Sequence, residues 1–166
     1  MRVCIHRGSN QIGGSCVELE QDGQRILLDL GLPLDAEENS SDYLPKTLTG
    51  LDGNDPNLLG ILISHPHLDH YGLLDHVDAR IPIGMGFAGH QILTKAMPFL
   101  PIKREIFALN WTFSSQKPIQ IGAFRVTPFL VDHSAYDAYA FLIEAGGKRL
   151  FYSGDFRAHG KKAKLF

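Results

Sequence analysis

The sequence is poor in cysteine: Cys4 and Cys16 are the only two among 166 residues. Two cysteines cannot form the disulfide framework of a small secreted domain, and we interpret both as small buried apolar residues. No stretch is long and apolar enough to span a bilayer, and the N-terminus has no apolar signal-peptide core. The expected location is therefore the cytoplasm, and no membrane partner is expected.

The sequence also lacks a strong charge of either sign. Its formal net charge is −2, which gives no global field to attract nucleic acid or an acidic membrane, although a local basic patch is left open. With 44% hydrophobic and 20% charged residues, the composition is that of a soluble globular protein. The length is that of one domain.

Hydrophobic patterning predicts a mixed α/β sandwich. Hairpins come first, strand–helix units follow, and a strand-rich last third completes the chain, which does not fit a doubly wound parallel sheet. The segment 33–57 reads as a long surface connection with a short helix near 45–48. Further helices are predicted at 73–77, at 89–99 and from 161 to 166. The predicted strands are 3–6, 16–20, 25–29, 59–64, 81–84, 111–113, 119–121, 124–129, 138–144 and 148–153.

The most informative stretch follows the apolar strand predicted at 59–64. Four side chains that can bind metal lie within six residues there: His65, His67, Asp69 and His70. A strand end holds side chains with little freedom, which suits a site with several ligands about 2.0–2.2 Å from a metal. Ligands on both sides of one loop would serve two neighbouring metals better than one. The alternative is a solvent-exposed polar loop that is rich in histidine.

Three more predicted strands end in residues of the same type. Asp29 ends one, Asp132 and His133 end another, and Asp155 ends a third. A single aspartate at a strand end is usually a turn or cap residue. Four strand ends that deliver histidine and aspartate to one edge of a sheet instead predict a metal centre.

These motifs resemble the metallo-β-lactamase fold superfamily, whose signature His-x-His-x-Asp-His is met at residues 65–70. Residues 13–15, 132–138 and 153–157 resemble in particular its ribonuclease J-like, β-CASP branch. The resemblance implies an αββα sandwich. It also implies that residues 1–166 are the N-terminal part of that domain, without its C-terminal half and without any β-CASP cap.

The resemblance further implies a role for each site residue. His65, His67 and His133 would hold one zinc ion, Asp69 and His70 a second, and Asp155 would bridge the two. Asp29 would orient the ligand loop through hydrogen bonds. Catalysis would use a metal-bridging hydroxide, with Asp69 as its proton acceptor and His70 beside it. Manganese or iron could replace zinc.

One departure from the superfamily concerns the second ion, which normally receives a further histidine from the C-terminal half. Nothing after Asp155 matches that residue, and His159 follows too closely to be expected in this role. A second copy of the chain or the missing C-terminal half would then complete the site.

The leading hypothesis is a dinuclear zinc phosphodiesterase or nuclease that acts on RNA or DNA. Ser134 and Arg157 are the candidate substrate-binding residues, although Ser134 could equally be a capping hydroxyl. A basic cluster suits a phosphodiester substrate but could also be the solvated face of a helix; it comprises Arg157, Lys161, Lys162 and Lys164. Two alternatives stay open: a thioester or lactone hydrolase of the glyoxalase II type, and a truncated, inactive metal-binding domain.

Overall fold

Two β-sheets form the body of the molecule. The computed structural model describes residues 1–36, 40–99 and 106–165. A six-stranded sheet runs in the order β1-β2-β3-β4-β5-β6, and a four-stranded sheet runs in the order β10-β9-β8-β7. The strands are β1 (Arg2–Arg7), β2 (Cys16–Gln21), β3 (Gln24–Leu28), β4 (Leu58–Leu62), β5 (Ile83–Gly86), β6 (Trp111–Phe113), β7 (Ile119–Ile121), β8 (Phe124–Leu130), β9 (Tyr139–Ala145) and β10 (Lys148–Tyr152).

The helices are short. α1 (Leu68–Tyr71) follows β4 directly after the histidine loop, and α2 (Phe87–Ala96) follows β5. Single 3-10 turns occur at Ser40–Tyr43, Leu74–His76, Met97–Phe99 and Ala163–Leu165. Within the described ranges, neither helix has the length and apolar character required to cross a membrane.

The central strands β3 and β4 are buried on both faces. Ile26 and Leu28 of β3 face the core between the two sheets, whereas Leu27 faces the core under the helices. Ile61 and Leu62 of β4 divide in the same way. A strand that is covered on both faces has a continuous run of apolar residues, and this run is what predicted β4 from the sequence.

The register brings several strand ends to one edge. β3 and β4 are parallel, with Leu28 opposite Leu62, and the Asp29 amide donates to the Leu62 carbonyl at 2.9 Å. From the other sheet, the Tyr139 amide at the start of β9 donates to the Ser64 carbonyl at 2.9 Å. The residues that follow β3 and β4 therefore meet the loop between β8 and β9.

The mixed α/β sandwich is confirmed, and most predicted strands agree with the structure to within two residues. Two helix predictions were wrong, those near 45–48 and at 161–166. The described part of 33–57 is mostly exposed or half-buried, as expected of a surface connection, but Leu48 is buried and Leu44 and Leu51 pack against the core. The helix near 45–48 is replaced by an earlier 3-10 turn at Ser40–Tyr43.

The predicted helix at 161–166 is also absent from the described residues. A turn at residues 161–162 and a 3-10 turn at Ala163–Leu165 occupy that stretch, and Phe166 lies outside the described residues. The basic residues there therefore do not line the face of a helix.

Candidate metal centre

The fully buried carboxylate of Asp29 organises the site. Asp29 follows β3 with a left-handed backbone (φ +59°), a conformation that aspartate tolerates better than most residues. Its carboxylate accepts the Ser64 amide at 2.7 Å, the Ser64 hydroxyl at 2.9 Å and the Tyr152 hydroxyl at 2.5 Å. It also contacts Nδ1 of His70 at 2.7 Å. Four polar contacts thus converge on one buried carboxylate. They join the end of β4 (Ser64), the end of β10 (Tyr152) and α1 (His70).

Two members of this cluster, Ser64 and Tyr152, were not predicted from the sequence. Tyr152 is 123 residues from Asp29 in the chain, and its hydroxyl reaches the carboxylate only because the two sheets pack together. Burial, together with the charge of Asp29, raises the pKa of Tyr152, so the phenol stays protonated and donates. The available sequence signal was position alone: Ser64 and Tyr152 each lie within three residues of a predicted metal ligand.

The hydrogen bonds of the buried histidines direct their other nitrogens into the site. Because the Ser64 hydroxyl donates its single proton to Asp29, Nδ1 of His65 donates to that hydroxyl, at 3.0 Å. Nδ1 of His70 donates to Asp29. In His65 this leaves Nε2 free to bind a metal, and in His70 it directs Nε2 into the site, where the ring releases its second proton when a metal binds.

Three imidazole nitrogens converge in a first donor group. Nε2 of His65 lies 3.1 Å from Nδ1 of His67, which lies 3.3 Å from Nε2 of His133. Tetrahedral ligands about 2.0–2.1 Å from a zinc ion are separated from one another by about 3.3 Å. The spacing and the nitrogen donors therefore fit a divalent metal of the zinc type.

A second donor group lies beside the first and consists of His65, His70 and Asp155, whose donor atoms lie within 4.8 Å of one another. Oδ1 of Asp155 is 3.6 Å from Nε2 of His70, and its Oδ2 is 3.8 Å from Nε2 of His133. The two carboxylate oxygens thus face different groups. Asp69 adjoins this group, with Oδ2 3.6 Å from Nε2 of His70.

The electrostatics of the centre differ from one histidine to the next. Burial lowers the pKa of His65 to about 3, with the charge of His70 acting in the same direction, so its ring is neutral at pH 7. Burial also opposes a proton on His70, but the charge of Asp29 and hydrogen bonds to Asp155 and Asp29 outweigh it and raise the pKa of His70 to about 10. The hydrogen bond to His70 lowers the pKa of Asp155 to about 2.

The remaining candidates lie around the rim. Ser134 is exposed, and its hydroxyl is 3.5 Å from Nε2 of His133. Arg157 instead lies against Asp132, with Nε 3.6 Å from Oδ2 and its amide donating to the Asp132 carbonyl at 2.7 Å. His159 is exposed and belongs to neither donor group among the described residues.

The segment after β3 packs closely against α1, which carries Asp69 and His70. The Leu30 amide donates to the His70 carbonyl at 2.8 Å, and the Leu32 amide donates to the Leu68 carbonyl at 3.0 Å. Gly31 lies between these two bonds, where a Cβ atom would overlap the Asp69 carbonyl. The absence of a side chain at residue 31 therefore allows the backbone of Asp69 in α1 to pack directly against the segment after β3.

We expect Gly31→Ala to destabilise the chain by about 1–3 kcal/mol and to lower its metal content, because the added methyl group displaces the backbone of Asp69. Urea unfolding and elemental analysis measure the two effects. Gly23→Ala is the control: Gly23 has a left-handed φ of +79° with open space around it, so the change strains the backbone without touching the site. Unchanged metal content in Gly31→Ala would contradict this account of the loop.

The sequence family described as Beta-lactamase superfamily domain matches residues 25–165. Ribonuclease J of Mycoplasma pneumoniae is 24% identical over 94% of the chain and 28% of its own length. Endoribonuclease YSH1 of Gibberella zeae is 29% identical over 94% of the chain and 20% of its own length. Among solved structures, the metallo-beta-lactamase fold protein YhfI of Bacillus subtilis superposes with a TM-score of 0.63, at 18% identity over 92% of the chain and 61% of that protein.

The chain is thus much shorter than these relatives. It spans about a quarter of the length of Ribonuclease J and a fifth of Endoribonuclease YSH1. The fold, by contrast, is shared over nearly the whole chain.

Proposed function

The chain belongs to the Beta-lactamase superfamily domain family, and from this premise we propose that it is a metal-dependent hydrolase of RNA phosphodiesters. The observation that carries the proposal is the convergence of the nitrogens of His65, His67 and His133 beside a second donor group that shares His65 and contains Asp155. Two adjacent donor groups are what a two-metal phosphodiesterase requires. Relatives named ribonuclease J and endoribonuclease support RNA as the substrate class.

We assign the residues as follows. His65, His67 and His133 hold the first ion, His70 and Asp69 hold the second, and Asp155 faces both. Nitrogen-rich donors favour zinc, and the carboxylates of the second group also accept manganese. When bound, the two ions lower the pKa of water and stabilise the charge that develops at phosphorus.

The protein's own groups orient the substrate and move the proton. Asp69, whose carboxylate lies next to His70 and is only partly buried, accepts the proton of the attacking water. Asp29 fixes the ring of His70 so that its Nε2 stays directed into the centre. We assign to the exposed hydroxyl of Ser134, beside His133, a hydrogen bond to a phosphate oxygen of the substrate. Arg157, held by Asp132, contributes positive charge near this position.

Two further properties belong to the proposal. The two cysteines of the chain are unpaired, as expected of a protein from a reducing compartment, which supports the cytoplasm as its location. Any further ligand of the second ion would come from a second copy of the chain or from a C-terminal half like that of the longer relatives.

The test is metal-dependent cleavage of RNA by the purified chain. We expect zinc- or manganese-loaded protein to cleave a labelled single-stranded oligoribonucleotide, and a chelator to abolish the activity. Asp69→Asn should lower the rate by about 10²- to 10⁴-fold, the usual contribution of a general base. Asp35→Asn, an exposed carboxylate in a turn, is the matched control and should leave the rate unchanged.

Two other outcomes would separate the alternatives. Hydrolysis of thioesters or lactones without any cleavage of RNA would replace the substrate class with that of a glyoxalase II-type enzyme. Bound metal with no turnover of either substrate class would make the chain a metal-binding domain.

A further inference from the structure

The loop between β8 and β9 presents two side chains next to the metal centre. Ser134 and Tyr136 are exposed, whereas the alternate residues Ala135 and Asp137 are buried. Tyr136 is three residues from the metal-facing His133, so their backbones are at most about 11 Å apart. A strand several nucleotides long that is bound at the centre can therefore reach Tyr136.

This loop is fixed in place at its base. The Val131 amide donates to the Ala138 carbonyl at 2.9 Å and closes the loop. Asp137 has a left-handed backbone (φ +65°), and its carboxylate accepts the Gly89 amide in the first turn of α2 at 3.0 Å. Because the buried residues on both sides are anchored, the outward direction of Tyr136 is built into the loop.

Tyr136 combines exposure with a neighbouring cation. The side chain is 65% exposed, and the Nζ of Lys162 lies 5.6 Å from the centre of its ring. The segment that carries Lys162 is held against the same loop through the contacts of Arg157 with Asp132. An exposed aromatic ring beside a cation offers a flat apolar face on which a flat apolar group of a partner can stack.

The other large aromatics near the sheets do not have this environment. Phe113 is buried in the core between the sheets, and Trp111 packs against that core. Phe99 is exposed but lies in the 3-10 turn after α2, at the far end of that helix from the metal centre. Phe87 and Phe156 are exposed as well, and Phe156 directly follows Asp155. What distinguishes Tyr136 is the Nζ of Lys162 at 5.6 Å from its ring centre, in a loop that also carries His133.

We propose that Tyr136 is the stacking platform for an unpaired base of single-stranded nucleic acid, and that Lys162 contacts the phosphate next to that base. This rests on the proposed function and names its substrate class more narrowly. Aromatic stacking accepts any base because every base has a π-face, while a neighbouring cation follows the backbone. A base inside a duplex is stacked and paired already, so the platform selects single strands over duplexes.

Binding of a fluorescent eight-nucleotide RNA, measured by anisotropy, tests the platform separately from cleavage. Measurements use the zinc-loaded chain and a phosphorothioate-linked RNA that resists hydrolysis, so that turnover does not consume the probe. We expect Tyr136→Ala to weaken binding by about 5- to 150-fold, and Tyr136→Phe to stay within about threefold of the parent. Phe99→Ala is the matched control for loss of an exposed aromatic ring and should bind as the parent does.

Two changes of condition or probe sharpen the result. An abasic version of the oligonucleotide should bind the parent and Tyr136→Ala equally, since there is no base to stack. Lys162→Gln should reduce the slope of log affinity against log salt by about 0.7, the value for one phosphate contact on a single strand. Metal content equal to that of the parent shows that each variant retains the folded site.

The outcomes distinguish this proposal from the proposed function. If Tyr136→Ala binds the intact RNA as tightly as Phe99→Ala does, or if the abasic probe still distinguishes the parent from Tyr136→Ala, the stacking platform is refuted even if the chain cleaves RNA. If binding depends on Tyr136 and on the base but the chain cleaves no RNA with ordinary phosphodiester bonds, the stacking platform stands and the proposed hydrolase fails.

Discussion

Asp29→Asn is expected to destabilise the metal-free chain by about 3 kcal/mol or more and to weaken metal binding by about 10- to 100-fold. The carboxylate is fully buried and meets four polar groups: the Ser64 amide and hydroxyl, the Tyr152 hydroxyl and Nδ1 of His70. Burial alone would raise the pKa of Asp29, but the charge of His70 and these hydrogen bonds lower it below its ordinary value, so the group is ionised. An asparagine removes the charge and places an amide donor among donors.

Urea unfolding in a chelator gives the stability, and competition with a metal indicator gives the affinity. Asp22→Asn is the matched control, since Asp22 also has a left-handed backbone (φ +52°) but lies exposed in the β2–β3 turn. It should change stability by less than about 0.5 kcal/mol. An Asp29→Asn chain that unfolds at the same urea concentration as the Asp22→Asn chain would show that the carboxylate does not hold the site together.

The position of the metal centre could be predicted from the sequence because it depends on local patterns. A buried strand reads as an apolar run, and the first polar residues after it lie at the sheet edge. That reasoning placed His65, Asp29 and His133 at strand ends, and the structure brings them to one edge. The roles assigned to the individual ligands stay predictions.

Contacts between distant segments could not be predicted in the same way. The bond from Tyr152 to Asp29 depends on how two sheets pack, and no local pattern encodes that packing. The segment after residue 33 was read as surface because it is rich in Pro, Asp and Ser. Its scattered leucines, such as Leu48, nevertheless cover the sheet, since an irregular segment can bury apolar side chains without any periodicity.

The same limit applies to Tyr136. Its sequence context, between a buried alanine and a buried aspartate, indicates nothing about exposure until the loop is seen to be anchored through Asp137 and Gly89. The basic residues after Asp155 were also ambiguous on their own. The contact of Lys162 with the ring of Tyr136 places one of them against the loop that carries His133.

His70→Ala and His67→Ala should differ in stability although both lower the metal content. In the metal-free chain, His70→Ala should cost about 3–5 kcal/mol, because it leaves the buried charge of Asp29 without its cationic partner. His67 is only partly buried and faces other imidazoles rather than a carboxylate, so His67→Ala should change stability by less than about 1 kcal/mol. Urea unfolding in a chelator and elemental analysis of zinc-loaded protein measure both effects.

The pair of variants separates two uses of a histidine in one site. If His67 and His70 served only as ligands, both changes would leave the metal-free chain equally stable. His159→Ala serves as the control, since His159 is exposed and outside both donor groups, and it should keep the metal content of the parent. Loss of one ion in His159→Ala would instead make His159 the additional ligand that the second ion requires. A metal-free His70→Ala chain as stable as His67→Ala would mean that hydrogen bonds from Ser64 and Tyr152 are sufficient to hold the charge of Asp29.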